Sequence, residues 1–133
     1  MFLVDTNIWL EIILAQKKAN EARRFLQKTD STGLFITDFS IYSIGIFLLH
    51  NKNPKAFIEF LNDLLFQSGT QVVRVKIDEI QRVVKISQRF NLDFDDAYQY
   101  FAAEENDLII ISYDSDFDRT ERGRKKPLEI LTR

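Results

Sequence analysis

The chain has 133 residues and is 45% apolar, which suits one domain (residues 1–133) with a real core and argues against a disordered chain. A net charge of −2 excludes a globally basic nucleic-acid binder, so any contact with nucleic acid is local. With no cysteine and a lone His50, disulfides, thiolate sites and a zinc centre are excluded, leaving hard, oxygen-seeking cations such as Mg²⁺ or Mn²⁺.

Phe2-Leu3-Val4 predicts a short buried strand, and residues 7–14 a helix with Asp5 or Thr6 near its cap. A second helix follows over 19–27, then a turn at Thr32-Gly33 and a strand over 34–36. The next helix runs over 38–50, and its interior Gly45, costing roughly 1 kcal/mol against Ala, implies close packing. Asn53-Pro54 opens another helix, with Phe57, Phe60, Leu61, Leu64 and Leu65 at helical spacing. Of these, Phe57, Leu61 and Leu64 form a stripe that would suit a dimer patch, with Phe66 off it. A β-branched strand over 71–75 precedes an amphipathic helix over 78–90 and a further helix over 93–105. An apolar strand over 108–111, a basic loop and a last strand over 128–131 complete the chain. Such alternation predicts a three-layer α/β/α domain around a mostly parallel sheet. No apolar run approaches the ~18 residues of a membrane span. Met1 leads directly into a strand rather than a secretion signal, so the expected location is the cytoplasm.

Three acidic clusters carry the chemistry. Asp5 closes the first strand, Asp95 and Asp96 open a helix, and Asp114 and Asp116 follow the strand over 108–111. A parallel sheet binds ligands beyond the carboxyl ends of its strands. Carboxylates gathered there at about 4 Å repel by on the order of 4 kcal/mol per pair at an effective dielectric near 20, and a divalent cation relieves that repulsion. Plainer roles compete at each position. Asp93 reads as a helix cap, as does Asp38, and Asp114 with Asp116 could build an Asx turn. Ser43 reads as helix surface or packing, and His50 as a helix-end residue. The run Arg119, Arg122, Arg124, Lys125 and Lys126 reads as a mobile surface loop, or as a hold on a phosphate backbone beside the acids.

Together, Asp5-Thr6-Asn7-Ile8 after a strand, Asp95-Asp96-Ala97 opening a helix, and Ser112-Tyr113-Asp114-Ser115-Asp116-Phe117 after a strand resemble the PIN-domain nucleases across essentially the whole chain. The likeness is to small prokaryotic PIN proteins that include the VapC-type toxin ribonucleases of VapBC systems. The resemblance implies that Asp5, Asp96 and Asp114 are catalytic metal ligands for Mg²⁺ or Mn²⁺, with Asp116 a further acid. It implies supporting roles for Asn7 and Ser112, with Asp95 beside them. It also implies RNA as substrate, an antitoxin partner and a homodimer. One match fails. The family places a Glu in the helix after the second strand, and here the position falls at residues 43–45, where no acid stands.

The leading expectation is a metal-dependent ribonuclease that hydrolyses phosphodiesters with metal-activated water, as the toxin of a toxin–antitoxin pair. The absent Glu supports a second reading, a PIN fold that has lost catalysis and binds RNA or a protein partner. A third, a phosphohydrolase or receiver-like domain, fits poorly because no second Asp follows two residues after Asp5.

Overall fold

Neighbouring residues of a strand point to opposite faces of its sheet, and in this chain both faces are apolar. The computed structural model describes residues 1–132, apart from the side chains of Ser31 and Leu65. Leu65 of the expected apolar row therefore lies outside the described side chains, and Arg133 outside the described residues. In chain order the elements are β1 (Phe2–Val4), α1 (Thr6–Ile13), α2 (Ala19–Lys28), β2 (Leu34–Thr37), α3 (Asp38–His50) and α4 (Pro54–Asn62). A π-helical turn (Asp63–Gln67) then leads to β3 (Gln71–Val73), α5 (Ile80–Phe90), α6 (Phe94–Glu105), β4 (Ile109–Ile111) and α7 (Pro127–Leu131).

Among the described residues the strands form one parallel sheet in the order β3-β2-β1-β4. Leu3 and Ile110 enter one core with Tyr98, Tyr100 and Phe101 of α6, Val83 of α5 and Phe117. Val4, Ile36 and Ile111 enter the other, with Ile8, Phe25, Ile44, Leu48 and Phe60 from α1 to α4. The result is the expected three-layer α/β/α arrangement. Burying a side chain such as Phe25 contributes roughly 1.5–3 kcal/mol, so a sheet of such short strands is held chiefly by its two helical layers.

The strand order places the site. From β1 the chain adds β2 and β3 on one side, then crosses back to lay β4 on the other side of β1. The carboxyl ends of β1 and β4 therefore flank the point where the order reverses, where an open α/β sheet leaves a crevice.

Four expectations need correction. Residues 128–131 are helical, in α7, rather than a strand. Pro127 supplies a helical φ at the first turn, and the Glu129 carboxylate accepts from Lys126 N at 3.1 Å. Strand-like pairing there reduces to one parallel bridge between Ile111 and Lys125. The cap of α3 is Thr37, whose hydroxyl accepts from Ser40 N at 3.0 Å, whereas Asp38 accepts from Phe39 N and from the Tyr98 hydroxyl. The basic segment is pinned rather than loose. The Arg119 guanidinium donates to the carbonyls of Phe90 and Asn91, Arg122 to the Leu108 carbonyl, and Arg124 to the Ser112 carbonyl and both Asp118 oxygens. Finally, the α4 stripe is taken up by packing on α3. The Phe57 ring lies so close to Gly45 that an added Cβ would sit 2.7 Å from it. An exposed apolar row lies on α3, at Tyr42, Ile46 and Leu49, with Phe57 of the stripe bordering it.

Candidate metal centre

Asp5 follows β1 directly, because β1 ends at Val4 and the next residue turns into α1. Its side chain is 5% exposed and meets four donors. Oδ1 accepts from Thr6 N at 2.8 Å and Gln99 Nε2 at 2.9 Å, while Oδ2 accepts from Ser112 Oγ at 2.7 Å and, more weakly, Asn7 Nδ2 at 3.4 Å. Burial pushes the Asp5 carboxyl above its usual range, while the bonds from Ser112, Gln99 and Thr6 pull the other way.

Asp96 sits in the first turn of α6, where the helix N-terminus faces the crevice. It is 8% exposed, yet among the described residues no N–H or O–H donates to it. Burial, then the charges of Asp95, Asp114 and Asp5, and last a carboxyl–carboxyl hydrogen bond with Asp114, push its carboxyl up to about 8. Asp114 follows β4 after two residues, and its Oδ1 accepts from Asp116 N at 2.8 Å in an Asx-type turn. Turn and proximity to Asp96 thus coexist, so capping geometry does not remove Asp114 from the cleft.

The structure gathers Asp5, Asp95, Asp96 and Asp114 around one cleft of about 190 Å³, with Asn7, Phe39, Ser43 and Gln99 also in its wall. Carboxylate oxygens of Asp96, Asp114 and Asp116 lie within 4.8 Å of one another, as do those of Asp93, Asp95 and Asp96. Asp5 borders the same cleft without joining either trio. Asp116 also accepts from Arg119 Nη1 at 3.0 Å, so part of its charge is already compensated. Asp93 stands at the N-cap position of α6 but makes no side-chain capping bond. Ser43 lines the wall near the expected α3 acid. A larger hollow of about 320 Å³ between α1, α2 and α4 is lined mainly by apolar groups such as Trp9, Leu26 and Phe60. Glu59 and Asp63 are the acids in its lining, against four in the smaller cleft.

Asn7 and Ser112 support the centre from below. Ser112 Oγ receives Asn7 Nδ2 at 3.0 Å and Asp114 N at 3.0 Å while donating to Asp5. Asn7 Oδ1 accepts from Tyr113 N at 3.1 Å. The two strand ends are thereby tied together through side chains. Gln99 escaped the sequence reading. Its signal was a lone amide inside Asp96–Ala103, three residues after Asp96 and so on the same helical face.

The donor set fits a hard divalent cation. It consists of carboxylate oxygens, and the buried Asp96, facing like charges, is an acid whose ionised form a cation would favour. In this respect the site matches Mg²⁺ or Mn²⁺ better than zinc.

Comparison with known proteins bears on this geometry. The sequence model of the PIN domain matches residues 2–123. The fold is similar to a toxin–antitoxin complex from Klebsiella pneumoniae (TM-score 0.73, 20% identity, covering 96% of this chain and 98% of that one). It is also similar to VapC20 of Mycobacterium tuberculosis, described as a toxin that cleaves the sarcin–ricin loop (TM-score 0.80, 15% identity, 96% and 100% covered). FitAcB from Neisseria gonorrhoeae aligns with a TM-score of 0.72 at 14% identity, covering 96% and 99%. No curated protein matches the chain significantly by sequence.

Proposed function

Because the chain belongs to the PIN-domain family, we propose that it is a Mg²⁺- or Mn²⁺-dependent endoribonuclease, the toxin member of a toxin–antitoxin pair. The observation that carries this reading is Asp96, a buried carboxylate without a hydrogen-bond donor, facing Asp114 and Asp5 where the strand order reverses.

In this reading Asp96 and Asp114 would hold the cation directly, with Asp5 beside them and Asp116 and Asp95 at the margin. When bound, such a cation acidifies water and offsets charge on phosphoryl oxygens. The rest falls to the chain's own groups. Ser112 and Asn7 hold the Asp5 carboxylate in one orientation and tie it to the turn that carries Asp114. The start of α6 brings Asp96 to the cleft, and Phe39 and Leu10 give its wall an apolar part. Attack by water with the P–O3′ bond breaking and O3′ leaving would give a 5′-phosphate and a 3′-hydroxyl. Lys125 and Lys126, and less so the internally bonded Arg119, Arg122 and Arg124, would attract the phosphate backbone.

Partners follow from the same reading. An antitoxin protein is proposed because similar folds occur in toxin–antitoxin complexes. A homodimer is proposed on the exposed row of Tyr42, Ile46 and Leu49. The alternative, a binding module without catalysis, is favoured by one observation: Ser43, rather than an acid, lines the cleft from α3.

The test is cleavage of end-labelled single-stranded RNA by excess protein in Mg²⁺, Mn²⁺ and EDTA, with Asp96→Asn alongside. Cleavage that needs metal and disappears in Asp96→Asn is expected. Absence of cleavage by wild type in either metal would overturn the catalytic reading and put the binding module in its place.

A further inference from the structure

Gln99 is the most deeply committed polar side chain near the cleft outside the acids. It is 1% exposed, on a turn of α6 otherwise buried among Tyr98, Tyr100 and Phe101. Its Nε2 donates to Asp5 Oδ1 at 2.9 Å and to Ser40 Oγ at 2.9 Å, and its Oε1 accepts from Thr37 Oγ1 at 2.6 Å. The amide can point only one way. Asp5 Oδ1 already accepts from Thr6 N, so Nε2 must face it, and Thr37, whose oxygen already receives Ser40 N, must donate its proton to Oε1. Every polar atom of Gln99 is therefore spoken for, which a buried amide requires.

The placement has a geometric consequence. Gln99 lies three residues after Asp96 on the same face of α6, and it grips the carboxylate at the end of β1. It is the direct side-chain bond between the helix that carries Asp96 and the strand end that carries Asp5. Thr37 and Ser40, the other two partners, come from the start of α3, the helix that lacks the family's acid. Without Gln99, Asp5 Oδ1 keeps, among the described residues, the bond from Thr6 N, a local bond that cannot fix the carboxylate relative to α6.

We infer that Gln99 is a positioning residue for the metal cleft: by holding Asp5 it sets the spacing of Asp5 from Asp96, in a chain with no acid at residues 43–45 of α3. The inference rests on the proposed metal site and sharpens it. An outer partner of this kind typically governs ten- to hundredfold of metal affinity.

The experiment is a Mn²⁺ titration by calorimetry of wild type, Gln99→Met, Asp5→Asn and the double variant. Gln99→Met keeps the volume and removes the amide, and it is expected to bind Mn²⁺ about ten- to hundredfold more weakly. In the Asp5→Asn background the same change should cost little more, because the charged carboxylate whose placement Gln99 sets is gone. Gln99→Glu keeps the shape but lacks the N–H donors and should share the loss. Wild-type affinity in Gln99→Met, or full additivity in the double variant, would overturn the inference. Should Gln99→Met fail to fold, the Gln99 side-chain amide resonances of wild type serve instead. They should shift in step with Mg²⁺ occupancy, and resonances that stay still through saturation would overturn the inference. Wild type that binds neither metal would remove the metal reading and this inference with it. Wild type that binds, with an unaffected Gln99→Met, would remove this inference alone.

Discussion

Asp5 and Asp96 face the same cleft and are buried to nearly the same degree, yet their surroundings are opposite. At the end of β1, the backbone of Thr6 and the side chains of Ser112, Gln99 and Asn7 surround Asp5 with donors. At the start of α6, no described donor reaches Asp96, and its nearest charged neighbours are carboxylates. The difference teaches that burial alone does not assign a carboxylate its task. A donor-saturated acid has its ionised form stabilised by the fold, while a bare one is left to a proton or a counter-ion.

The largest effect that would sharpen this contrast is on activity. Asp96→Asn should lower RNA cleavage on the order of 10²–10³-fold, measured under single turnover, and abolish Mn²⁺ binding in the cleft. Equal cleavage by Asp96→Asn would erase the distinction between the two acids.

Next comes stability, where the two acids should diverge in sign. Asp5→Asn sets an amide N–H against the donors that now surround a carboxylate, and should cost about 1–3 kcal/mol. Asp96→Asn should instead raise the melting temperature of the metal-free protein at pH 8.5, because it removes an uncompensated charge. Two melts in EDTA decide it, and a shared sign would break the comparison. Ser112→Ala, which strips the 2.7 Å bond from Asp5 and an acceptor from Asp114 N, should lie between them with a loss of about 1–2 kcal/mol.

The pH dependence follows with its own sign. Asp96 has a raised folded-state pKa, near 8, against an unfolded value near 4. Its protonation therefore favours the folded state, so that contribution is full below the unfolded value and is lost as pH rises through about 8. Metal-free protein should melt higher at pH 5.5 than at pH 8.5, and saturating Mg²⁺ should flatten the difference by stabilising the ionised form. Denaturation scans at both values, with and without Mg²⁺, measure this; a steeper dependence with Mg²⁺ would contradict it.

The smallest effect concerns the basic segment. Lys126→Ala should weaken RNA binding severalfold, uniformly across sequences, with the melting temperature unchanged. Arg124→Ala should lower the melting temperature as well, since its guanidinium, 9% exposed, bonds Asp118 and the Ser112 carbonyl. Salt-dependent binding isotherms and melts separate the two residues.

Much of this was legible in the sequence. Apolar runs at β1, β2 and β4, each with helices between, announce a parallel sheet, and Asp5, Asp96 and Asp114 fall at its rim because strand ends and a helix start are visible in the residue pattern. Asn53-Pro54 marked the start of α4 for the same local reason. What escaped was one local cap signal and several partners distant in the chain. The alternating Leu128-Glu129-Ile130-Leu131 looks like a strand until Pro127 and the Glu129 cap are weighed. The arginines look like a loose basic loop until Phe90, Asn91, Leu108 and Asp118 are brought beside them by the fold. Gln99 looks like an ordinary helix residue, and only its separation of 94 residues from Asp5, closed by folding, gives it a purpose.

The measurement that tests the metal centre most directly is anomalous diffraction from crystals grown with Mn²⁺. The expected result is a manganese peak in the cleft, bonded to the carboxylates of Asp96 and Asp114, with Asp5 still holding its bonds to Ser112 and Gln99. Full Mn²⁺ occupancy elsewhere with none between Asp96 and Asp114, or none anywhere at saturating Mn²⁺, would contradict it.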